Sequence, residues 1–129
     1  RKARERDPQA WWDGLPGGES FRVFATRIKR AVDGLLAARG GRRVEGEEAP
    51  MWSFERDLGR VVIVGHGGTN SVAVALLLGL PPVPWEWERI HLNHCAFVRL
   101  TTVPLGRGVI FSLRASNDCE HLPRDQRTA

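Results

Sequence analysis

The stretch Arg60-Val61-Val62-Ile63-Val64-Gly65-His66-Gly67-Gly68-Thr69-Asn70 decides the reading of this 129-residue chain. The β-branched run Val61 to Val64 predicts a strand that ends at a histidine. Two glycines then turn the backbone, and Thr69 or Asn70 can cap a helix running through Ser71 to Leu78. Strand, glycine turn and helix N-terminus together aim free backbone N–H groups and a positive dipole end at one point. A histidine at the carboxyl end of that strand sits where open α/β sheets place ligands, and the implied ligand is a phosphate or a carboxylate.

Outward from that centre the chain divides readily. Residues 3 to 13 read as the end of a helix, closed by the turn Asp13-Gly14-Leu15-Pro16-Gly17-Gly18. Ser20 caps a second helix, whose apolar positions Phe21, Phe24, Ile28, Val32, Leu35 and Leu36 recur at spacings of three and four. Arg22, Lys29, Arg30 and Asp33 lie largely off that stripe. Gly40-Gly41 ends the helix. Residues 42 to 59 are charged and dotted with aromatics, and read as a long surface insertion, with Trp52 and Phe54 keeping a lid in view.

Beyond the central helix, Gly79-Leu80-Pro81-Pro82 is a stop signal. Pro84 to Glu88 begins a short irregular or helical piece. Cys95 to Thr102 and Val109 to Arg114 are β-rich runs joined by Pro104 to Gly108, an antiparallel hairpin. The tail from Asp118 closes the domain and is expected to fray. The whole forms a single α/β domain over residues 1–129.

Composition bounds the function classes. With 42% hydrophobic residues the chain is expected to fold around one core. Net charge is +4, and 17 of the 19 basic residues are arginine. They are scattered among acidic residues with no aromatic-interleaved basic patch, so nucleic acid is not an expected partner. The longest apolar run, Val72 to Leu78, is too short to span a bilayer, so no membrane partner is expected. The charged opening Arg1 to Asp7 does not resemble a signal peptide. Cys95 and Cys119 make no disulfide framework, and a cytoplasmic setting with free thiols is expected.

Four elements carry a resemblance. Gly17-Gly18-Glu19-Ser20 followed by Arg27, then Val61 through Gly68, then Asn93 leading into a strand, then Asn117 through Leu122, agree in order and spacing with a known family. Over almost its whole length the chain resembles the C-terminal part of the histidine phosphatase (phosphoglycerate mutase-like) superfamily. The resemblance implies an α/β layered sheet with helices on its faces. It implies chemistry in which a histidine of an Arg-His-Gly motif attacks phosphorus, two arginines and a second histidine hold the phosphoryl oxygens, and an acidic residue protonates the leaving group. His66 would be that second histidine, donating a hydrogen bond to the transferring phosphoryl group, with the Gly67 N–H as a companion donor.

The implied activity is that of a phosphomonoester hydrolase acting on a small phosphorylated metabolite, or less favourably a mutase, with no metal or organic cofactor. The departure from the pattern is plain: His91, His94 and His121 are not followed by glycine, and the chain holds no Arg-His-Gly. The nucleophile, both arginines and the acid are expected upstream, in a parent of which this chain is the C-terminal portion, inactive by itself. Glu19 lies after the family's acid and takes no such role. The alternative is a non-catalytic phosphate-binding or interaction module that keeps the fold. A homodimer stays open as a further partner.

Other constellations are weaker. His91, His94, Cys95, Cys119 and His121 are potential zinc ligands, but their spacing matches no standard signature. His66-Gly67-Gly68 also resembles an esterase oxyanion turn, yet no Gly-x-Ser-x-Gly elbow exists to serve it. The five tryptophans read first as packing residues, with Trp85 and Trp87 able to line a pocket mouth or an interface.

Overall fold

The computed structural model describes residues 7–128. Helix α1 (Pro8–Asp13) starts where its chemistry directs: the Asp7 carboxylate accepts from the Gln9 N–H at 3.1 Å, and Pro8 takes a first-turn position that needs no donor. The rest of the helix expected from residue 3 lies outside the described residues. Helix α2 (Phe21–Ala38) is capped by Ser20, whose hydroxyl accepts from the Val23 N–H at 3.3 Å. Its stripe turns inward as the spacing predicts, with Phe21, Ile28, Val32 and Leu36 buried and Phe24 and Leu35 half-buried.

Four strands form one antiparallel sheet: β1 (Gly41–Arg43), β2 (Trp52–Phe54), β3 (Phe97–Leu105) and β4 (Gly108–Asp118), in spatial order β1-β2-β4-β3. The expected C-terminal hairpin is β3–β4, closed by Gly106-Arg107 with Leu105 opposite Gly108. The expected insertion over residues 42 to 59 is corrected. It supplies β1 from its first residues and β2 from its middle, and Trp52 is buried in the core rather than held on a lid. The segment reads as a loop because these strands are three residues each, too short to show alternation.

Helix α3 (Gly67–Leu77) ends in a Schellman motif: the Leu80 N–H donates to the Ala75 carbonyl and the Gly79 N–H to that of Leu76, with Gly79 at φ +75°. Only glycine takes that backbone without strain. Helix α4 (Glu86–Arg89) follows. The core joins α2, α3 and β2 through Phe21, Ile28, Val32, Leu36, Val72 and Trp52, with Phe54, Val109 and Phe111 packed against it.

Two further expectations change. The run before His66 joins no strand among the described residues, and Val62, Ile63 and Val64 are 72, 53 and 93% exposed. A strand is held by its neighbours' N–H and C=O groups, and the four-stranded sheet closes without this segment. Its continuous apolar character is that of a strand meant to be covered on both faces. The tail is tied down rather than frayed: the Arg127 guanidinium donates to the carbonyls of Leu122 and Glu120, and the His94 N–H to the Thr128 hydroxyl at 3.1 Å. Among the described residues no helix is long and apolar enough to cross a membrane.

Candidate functional site

The α3 N-terminus is the centre of the site. Its cap is His66 (φ −88°, ψ 157°), not Thr69 or Asn70 as expected, so the helix starts at Gly67. Gly65 allows this shift: a Cβ there would meet the Asn70 Oδ1 at 2.7 Å, so the Asn70 side chain lies back over residue 65. The first intrahelical bond runs from the Asn70 N–H to the His66 carbonyl at 2.9 Å. The N–H groups of Gly67, Gly68 and Thr69 therefore precede the helical ladder, and among the described residues no side chain caps them. The His66 ring is exposed beside them. Backbone donors ahead of the ladder, a positive dipole end and an exposed His66 are the chemistry that could receive an anion.

This turn is firmly held from below. Ser71 is fully buried, and its hydroxyl sits 2.7 Å from the Gly67 carbonyl and 2.8 Å from that of Ile90. It ties the first turn of α3 to the chain leaving α4. The sequence reading missed Ser71, because a serine inside a helix usually signals nothing. A second brace comes from Glu86, fully buried, whose Oε2 accepts from the Val83 N–H at 2.9 Å and lies 3.6 Å from the Arg89 guanidinium. It fixes the bend through Pro84 that leads into Trp87.

The residues that carry the family resemblance come into view as supports. Glu19 and Arg27 form a bidentate pair, Nε to Oε1 at 3.0 Å and Nη2 to Oε2 at 2.9 Å. The hydrogen bonds from Arg27, with its charge, hold the Glu19 carboxyl below the usual carboxylate range against slight desolvation. Asn117, at φ +52°, accepts from the Asn93 N–H at 2.7 Å and locks the end of β4 to the approach to β3. That conformation suits asparagine better than most residues.

An open hollow of about 280 Å³ adjoins the glycine turn, lined by Gly68, Glu19, Trp11, Phe24, Pro84 and Trp87 among others. Trp11 and Trp87 stack at 5.5 Å with 21° between planes, while Trp85 packs edge-on against Trp12 and is not part of the lining. A larger hollow of about 400 Å³ lies on the sheet side, between β2 and the β3–β4 turn, and contains none of the predicted site residues. The histidines and cysteines weighed as zinc ligands lie apart. Among the described residues no three of His, Cys, Asp or Glu gather as a metal site. The His91 ring lies 2.8 Å from the Asn93 Oδ1, His121 sits edge-on to Phe97 at 4.7 Å, Cys119 is buried and Cys95 exposed.

Comparison with curated proteins gives no match, and comparison with solved structures gives none either. A family model for the histidine phosphatase superfamily (branch 1) matches residues 1–110. That span takes in α2, the His66 turn and the start of β4, and the chain belongs to the histidine phosphatase superfamily.

Proposed function

We propose that the parent protein is a phosphomonoester hydrolase of the histidine phosphatase type, and that this chain contributes the second phosphate-pocket histidine. The observation that carries the reading is the exposed His66 ring at an uncapped helix N-terminus, beside the free N–H groups of Gly67 and Gly68. In the chemistry typical of the superfamily, a nucleophilic histidine attacks phosphorus as the leaving oxygen takes a proton from an acid, and water then cleaves the phosphohistidine. His66 and Gly67 would donate to the phosphoryl oxygens as negative charge builds in the transition state, where such donors count most. They cost no reorganisation at that moment, because Ser71 already fixes the turn.

The substrate class is a small phosphorylated metabolite. With no Arg-His-Gly in the sequence, the nucleophile would come from polypeptide outside these 129 residues, and the chain alone would bind phosphate without turning it over. In the complete protein His66→Ala should lower kcat by about 10²–10³-fold, the scale for losing a transition-state donor. The variant should still fold, since the ring is exposed. An unchanged kcat in purified, folded His66→Ala removes His66 from the mechanism.

A further inference from the structure

The proposed grip on phosphate at the His66 turn makes no use of the aromatic hollow beside it. Trp11, Phe24, Pro84 and Trp87 give it apolar walls, and Gly68 makes one edge of it continuous with the free amides that follow His66. Among the described residues lining it, Glu19 is the one that is charged, and both its carboxylate oxygens are engaged by Arg27. Arg27, over the Phe24 ring, is already paired with Glu19, so among the described residues no unpaired cation lines this wall for a second phosphate or a carboxylate on the substrate. A flat ring would find indole and phenyl surface, with Trp87 still 40% exposed and able to receive it.

We propose that this hollow is the leaving-group subsite, and that the substrates are phosphomonoesters of planar aromatic or heteroaromatic alcohols rather than of short diacids or bisphosphates. The inference rests on phosphate binding at the His66 turn. An ester with its phosphoryl group at the Gly67 and Gly68 N–H groups directs its oxygen substituent toward Gly68 and the tryptophan pair. At about 280 Å³ the hollow is near the lower end of the size range of small-molecule sites, which suits one or two rings.

The test uses the chain itself with three probes: inorganic phosphate, 1-naphthyl phosphate and 1-naphthol, with binding followed by calorimetry and by tryptophan fluorescence. The account expects 1-naphthyl phosphate to bind about tenfold more tightly than inorganic phosphate, the scale of one good aromatic contact. Trp87→Ala should abolish that preference and leave inorganic phosphate affinity unchanged. Trp87→Leu, with its fold checked by circular dichroism, guards against a packing defect and should lose most of the preference too. Equal affinity for the two phosphates in the native chain overturns the subsite, as does a preference that survives both substitutions. The neutral 1-naphthol separates the two readings. Saturable binding lost in Trp87→Ala supports the hollow even if inorganic phosphate fails to bind, an outcome that would sink only the anion site. Absence of 1-naphthol binding overturns the subsite whatever phosphate does.

Discussion

His66 and Ser71 sit five residues apart on one turn and do opposite kinds of work. The His66 ring is exposed and has no capping bond, so His66→Ala should shift unfolding free energy by no more than about 0.5 kcal/mol. Ser71→Ala should cost about 1–3 kcal/mol, because two carbonyls around a fully buried hydroxyl lose their donor. Urea denaturation of the two variants checks both values, and equal effects would contradict the division of labour. The place of His66 just ahead of α3 was legible from sequence, in an apolar β-branched run ending in His-Gly-Gly. Ser71 was not, since its importance depends on Ile90 passing overhead, a contact between residues nineteen positions apart. The same holds for Glu19 and Arg27. Their motif was visible, but only the fold reveals a bidentate clamp.

At the scale of elements, helices were readable and short strands were not. Helix α2 announces itself through periodicity, a cap and a glycine stop, and α3 through its apolar run and glycine stop, although its cap falls at His66 rather than at Thr69 or Asn70. Strands β1 and β2 are held by pairing with each other and at Trp52 opposite Val109, so three residues carry too little pattern to predict them. The run Val62 to Val64 failed the other way: its composition is that of a strand, yet no partner in the sheet pairs with it. Its exposure makes a sharp prediction. Ile63→Ser and Val64→Ser should leave stability within about 0.5 kcal/mol. Ile28→Ala, in the core between α2 and α3, should cost about 2–5 kcal/mol. A large loss from Val64→Ser would mean that the segment is covered in solution. The clamp between α2 and β1 predicts an acid response. Burial works against ionisation of Asp33, but hydrogen bonds from Lys29 and Arg43 outweigh it and hold its carboxyl below the usual range. With the folded value depressed, the stabilisation is complete above the unfolded value of about 3.9 and fades as pH falls through the folded one. Denaturation midpoints at descending pH should show a loss below about pH 4 that is smaller in Asp33→Asn, and an identical slope would contradict the clamp.

In the molecule as a whole, the sheet and the α2–α3 pair act as a frame that carries the start of α3. Ser71 ties that start to Ile90, Glu86 fixes the neighbouring bend through Pro84, and the Trp11–Trp87 pair walls the space beside it. The most direct test of the account is an amide NMR titration of the chain with inorganic phosphate, run in parallel on His66→Ala. The account predicts saturable shifts centred on the Gly67, Gly68 and Thr69 N–H groups, strongly weakened in the variant. Saturable shifts confined to other residues, or an unchanged titration in His66→Ala, would contradict it.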